Sequence, residues 1–132
     1  MKYYKWTLEK DVTFTIPQRF PLSNFSNEWV AIIDNAITVR TGYSWDGCSP
    51  KIKIFGLIIG TWDGIKKNDK QELYYPSLIH DALCQWKVGD RLVTDQIFLW
   101  MMHETRFIFR HLYYFAVRCY SIVTSKSRTF FV

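Results

Sequence analysis

The 132-residue chain has only three cysteines, Cys48, Cys84 and Cys119, and no Cys-x-x-Cys pair. Their spacing matches no zinc template, and an odd count builds no disulfide framework, so reduced thiols in a cytosolic compartment are expected. Long apolar runs are missing too. The nearest, residues 107–123, is broken by Arg110, His111 and Arg118, which excludes a membrane-spanning helix. The opening Met-Lys-Tyr-Tyr-Lys-Trp lacks the apolar segment of an export signal, and a cytoplasmic protein is expected. No basic run exceeds Lys66-Lys67, so there is no polybasic arm and no specific nucleic-acid signal. Internal repeats and low-complexity segments are also absent.

What is present describes a folded globule. Hydrophobic residues make up 48% and charged residues 22%, which separates the chain from disordered tails. Its length suits one domain with one core. Aromatics reach 18%, and such side chains bury large areas or line interfaces. The formal net charge of +5 favours anionic partners, a phospholipid surface among them.

Composition changes near Tyr75. Before it, β-branched and aromatic residues alternate with polar ones, and strands are predicted over residues 2–8, 12–16, 29–33 and 36–40. Asp34-Asn35 between the last two is a dipeptide suited to a tight hairpin. Residues 42–50 read as a loop, 51–59 as a strand and 60–70 as a polar connection with a turn at Asp63-Gly64. After Tyr75 the period becomes helical. Pro76 opens a helix that Gly89 stops, Asp90 caps a second over residues 91–105, and a third covers 107–123. The fold class is therefore α+β: an N-terminal antiparallel β-sheet over residues 1–74, then a three-helix half over 75–124 and a tail over 125–132.

The chemistry concentrates in Ser77-Leu-Ile-His-Asp-Ala-Leu-Cys-Gln85 and Arg91-Leu-Val-Thr-Asp-Gln-Ile-Phe98. A carboxylate on one imidazole nitrogen fixes the tautomer and raises basicity, leaving the other nitrogen to take a proton from water. His80 and Asp95 are the candidates for that pair. Asp81 points about 100° away from His80 around the helix, where it can ligate a cation without touching the base. Two antiparallel helices pair a start with an end. If both residues sit one turn into their helices, as the Pro76 start implies, they meet only when the helices are staggered or crossed. Upstream, Trp45-Asp-Gly-Cys-Ser-Pro50 offers the acid Asp46, with Gly47, Cys48 and Ser49, and Arg91 flanks the dyad as a candidate site wall. Hard cations take carboxylates and backbone carbonyls from such loops.

In this order WDGCSP, HDALC and Arg-x-x-x-Asp-x-x-Phe resemble a family of uncharacterised small phage and prophage proteins, over residues 42–102. The same order is similar to that of the prokaryotic and fungal secreted phospholipases A₂. That second resemblance implies a calcium-type acyl-ester hydrolase. In it His80 is the general base, Asp95 its partner and Asp81 a calcium ligand, with Asp46 or its neighbouring carbonyls completing the site. A phage protein would work in the host cytoplasm or in the virion, against a phospholipid surface or a host protein.

Two other readings stand beside it. One is a non-enzymatic phage accessory protein, a virion component or an inhibitor of a host protein, that uses the same cluster structurally. The other is a metal-dependent phosphoester hydrolase, which would need His103 or His111 as further ligands.

Overall fold

The structure, a computed structural model, describes residues 6–45, 66–67, 70–71, 73–86 and 88–130. Its first half is antiparallel sheet. Strands β2 (Val12–Thr15), β3 (Phe25–Ser26), β4 (Val30–Ile33) and β5 (Ala36–Val39) form one four-stranded sheet in the order β2-β5-β4-β3. A separate two-stranded ladder joins β1 (Trp6–Thr7) to β6 (Ser44–Trp45). The period of two explains the four-stranded sheet. Val30, Ile32, Ile37 and Val39 all point inward and are fully buried, and the register sets Val30 against Val39 and Ile32 against Ile37.

The hairpin turn is where sequence and structure agree most closely. Asp34 and Asn35 both adopt positive φ, 48° and 64°, the pairing that a two-residue turn with the native strand twist requires. Asn35 does more than turn the chain. Its buried side-chain amide shares its two N–H hydrogens among the carbonyls of Ile16, Pro17 and Phe20 at 3.0–3.1 Å, and its oxygen accepts from the Leu22 amide at 2.8 Å. One side chain thus ties the loop after β2 to the β4–β5 turn. Asn35→Ala should lower stability by about 2–4 kcal/mol, from several lost hydrogen bonds and a non-glycine residue at positive φ without its local partners. Urea unfolding would measure this, and a change under 1 kcal/mol, about one net hydrogen bond, would refute it.

Two corrections concern the middle of the chain. The expected loop at 42–50 contains β6, because Ser44 and Trp45 pair with β1. The polar connection contains a small ladder, β7 (Lys66–Lys67) with β8 (Lys70–Gln71). The expected strand at 51–59 and the turn at Asp63-Gly64 lie outside the described residues.

The C-terminal half is three helices, α1 (Tyr74–Gln85), α2 (Arg91–Glu104) and α3 (Arg110–Phe130). Helix α1 starts two residues before Pro76, which sits within the first turn, where a missing N–H costs nothing. Val88 N bonds Leu83 O to close the helix, and Gly89 turns the chain at φ 75°. Asp90 caps α2 by accepting from the Leu92 amide at 3.0 Å. Helix α2 ends with Arg106 in the left-handed region at φ 60°, and the amides of Arg106 and Phe107 bond His103 O and Met102 O. That turn delays α3 to Arg110. The helix then runs on through the expected tail to Phe130, well past Val123.

The helices are layered on the sheet. Leu78, Ile79, Ala82 and Leu83 of α1 share one apolar core with the inward face of the sheet and with Ile97 and Met101 of α2. A second core joins α2 to α3 through Phe98, Met102, Phe107, Tyr113, Ala116 and Val117. Each shared core removes apolar area from water at roughly 25 cal/mol per Å². Between the two cores lies the polar cluster described next.

Candidate functional site

His80 and Asp95 meet without any stagger. His80 lies five residues before the end of α1, and Asp95 lies four after the start of α2. In an antiparallel helical hairpin, residues equally far from the connecting turn stand opposite one another. The expected misfit arose from placing His80 one turn into a helix that in fact begins at Tyr74. His80 Nε2 is 2.7 Å from Asp95 Oδ1, and the imidazole packs on Phe98 with ring centroids 4.7 Å apart.

Asp95 is fully buried and receives three donors, one from each helix. Besides His80 on α1, Arg91 Nε donates to Oδ1 at 2.9 Å and Arg118 Nη1 to Oδ2 at 3.0 Å. Arg91, expected at the site wall, grips the dyad's own carboxylate. Its Nη2 is buried and has no hydrogen-bond partner among the described residues. Arg118 was missed, since in the sequence it reads only as one of the breaks in the apolar run 107–123. The usable signal was its solitude: it is the one charged residue between Leu112 and Val123 on a helix whose inner face is buried. A charge in that position needs an acid partner.

The charges reshape both titrations. Burial disfavours the imidazolium of His80, but the Cys84 sulfur and the Asp95 carboxylate favour it more strongly, so its pKa is raised above the ordinary 6.5. Burial pushes Asp95 upward as well, yet His80 and Arg91 outweigh it and hold the carboxyl below its usual 3.8. A raised His contributes stability that is complete below pH 6.5 and disappears as pH rises through the folded-state value. A lowered Asp contributes stability that is complete above pH 3.8 and disappears as pH falls through its folded value. The cluster is therefore strongest between those limits. Thermal unfolding against pH should show a decline above pH 6.5 that His80→Gln removes; an unchanged alkaline decline in that variant would contradict the assignment.

Cys84, one turn after His80 and half-buried, places its sulfur 3.9 Å from Nδ1 and 3.8 Å from Nε2. A sulfur equidistant from both nitrogens lies off the lone-pair direction of each, so it is not aligned to pass a proton to the ring. Cys119, on α3, is a half-buried free thiol.

Asp81 projects away from this cluster. Its Oδ2 accepts from the Tyr43 hydroxyl, which also lies 2.9 Å from Gln85 Oε1. Asp46, Gly47, Cys48 and Ser49 lie outside the described residues. Trp45, just before them, donates from its indole to Ser77 Oγ at 3.0 Å, anchoring the start of that segment one turn ahead of His80. No group of three His, Cys, Asp or Glu side chains that could hold a metal ion occurs among the described residues. Calcium takes six to eight oxygens, and Asp81 supplies one carboxylate; the described residues alone do not compose a calcium site. His103 and His111 are exposed and line a separate pocket, away from the dyad's hydrogen-bond network.

Comparison of the chain with protein-family models, with curated proteins and with solved structures gives no match.

Proposed function

We propose that this protein is a phage-type acyl-ester hydrolase in which His80 activates water and Asp95 holds its ring. The observation that supports the reading is the 2.7 Å contact between Asp95 and Nε2 of His80; in this reading Nδ1 is the proton acceptor. In the step so defined, Nδ1 takes a proton from water and the oxygen forms a bond to the ester carbonyl carbon. Collapse of the tetrahedral intermediate breaks the carbon–oxygen bond to the leaving alcohol. The imidazolium returns its proton to that alkoxide, giving an alcohol and a carboxylic acid, which then loses its proton to solvent as a carboxylate. Asp95 keeps Nε2 protonated throughout, and Arg91 and Arg118 keep Asp95 from taking that proton. The buried Nη2 of Arg91 is a donor beside the dyad for a substrate oxygen. Calcium enters this reading through Asp81 and Asp46, following the phospholipase resemblance.

One observation favours a second reading. Asp95 is completely buried and joined to all three helices, which is also how a purely structural clasp is built. A phage accessory protein acting by binding would need no more of these residues. Fatty-acid release from mixed phospholipid vesicles, with calcium added and then chelated, separates the two. Release by the wild-type protein is expected; no release with any divalent cation would overturn the hydrolase reading and leave the clasp.

A further inference from the structure

The chain's charge is divided unevenly. Residues 1–104 contain twelve basic and twelve acidic side chains, while residues 105–132 contain five basic ones and no acidic one. The whole excess of +5 thus belongs to α3 and the turn before it. Arg118 is taken by Asp95, which leaves Arg106, Arg110, Lys126 and Arg128 on a segment with no carboxylate of its own.

Helix α3 also has two apolar faces. Tyr113, Ala116 and Val117 pack against α2. Leu112, Phe115 and Ile122 face outward and are 44%, 61% and 46% exposed, and Ile108 continues the stripe into the preceding turn at 67%. Spacings of three and four residues keep these side chains on one side of the helix. Single exposed apolar residues are ordinary, but an aligned row of them is an interaction surface.

Beside that row, a pocket of about 380 Å³ opens between α2 and α3 and the loop after β2. Arg19, His103, Arg110 and His111 line it together with Trp100 and Tyr114, and among the described residues no acidic one does. His80, Arg91, Asp95 and Arg118 are not among the residues that line it, so this pocket is separate from the dyad's hydrogen-bond network.

We propose that α3 is a peripheral docking helix for an anionic lipid bilayer, with the pocket seating one anionic headgroup. A cationic helix with an exposed apolar row lies in the plane of a bilayer, its apolar side chains at the headgroup boundary. Among the described residues no helix is long and apolar enough to cross a membrane, so the contact is peripheral. A second copy of the chain is the weaker occupant, because pairing two such helices brings like charges together with no acid to offset them. Docking needs no hydrolysis and stands or falls apart from the dyad.

The test is co-sedimentation with vesicles of phosphatidylcholine alone or mixed with phosphatidylglycerol. The protein should bind the mixed vesicles, bind neutral ones far less, and lose affinity as salt rises. Leu112→Ser with Phe115→Ser should weaken binding roughly tenfold or more, since two exposed apolar side chains no longer leave water. Arg110→Gln should weaken it about fivefold, the share of one basic residue near an anionic surface. If the double variant folds poorly, the Arg110→Gln series and the salt dependence still decide. Equal binding to neutral and anionic vesicles would overturn the proposal. So would binding of soluble glycerol phosphate without vesicle binding, or a dimer that Leu112→Ser/Phe115→Ser dissolves while vesicles are ignored.

Discussion

His80→Ala is expected to reduce acyl hydrolysis by roughly 10²–10⁴-fold, the usual loss when a positioned general base is removed. The wild-type rate should climb with pH along a limb lying above 6.5, because the ring accepts a proton only when neutral and its pKa is raised. The same substitution should cost only on the order of 1–3 kcal/mol of stability, from the lost packing on Phe98 and one lost donor. The cost stays small because Arg91 and Arg118 still satisfy both Asp95 oxygens when the ring is gone. Rate and melting temperature therefore move independently, and the pair of measurements is informative. A His80→Ala protein that hydrolyses phospholipid within a few-fold of wild type would remove His80 from the chemistry.

The hairpin of β4 and β5 was legible because a strict two-residue alternation and an Asp-Asn turn leave one register open. The helical half was legible in kind but not in extent. Pro76 reads as a first helical residue, yet it is tolerated anywhere in the first turn, and that two-residue error moved His80 into the wrong half of α1. The start of α3 was displaced for a different reason: Arg106 takes a left-handed conformation that its residue type gives no hint of. Strands of two residues, such as β3 and β6, carry too short a pattern to show a period.

The dyad could be proposed from spacing because both partners are near one turn of the chain. Arg118 could not. It reaches Asp95 from 23 residues away, across a helix packing angle that local sequence does not encode. What sequence reports about such a residue is only an unmet need, a charge on a buried face. What it lacks is the address of the partner. The segment from Asp46 to Ser49 carries the remainder of the expected site, and its part in it rests on the resemblance alone.

Asp95→Asn is expected to be the most destabilising single change in the molecule, at about 3–5 kcal/mol. The amide removes the only negative charge among His80, Arg91 and Arg118 while leaving three groups shaped to donate to it. An asparagine offers one acceptor oxygen where the carboxylate offered two, and its own N–H groups then face the donors. Two partly buried guanidinium groups then remain around a neutral amide, with no charge between them to offset their repulsion. For a chain of this length each kcal/mol moves the melting temperature by roughly 3–5 °C, so a fall of about 10–20 °C should be seen. A double-mutant cycle locates the cause. Arg118→Met alone should cost less, because Asp95 keeps His80 and Arg91. Adding Arg118→Met to Asp95→Asn should cost less than the sum of the two, since the charge that the asparagine strands is gone; the coupling should lie within about 0.5–3 kcal/mol. Strict additivity would mean that Arg118 and Asp95 do not interact in solution, and the three-helix clasp would then lose its α3 arm.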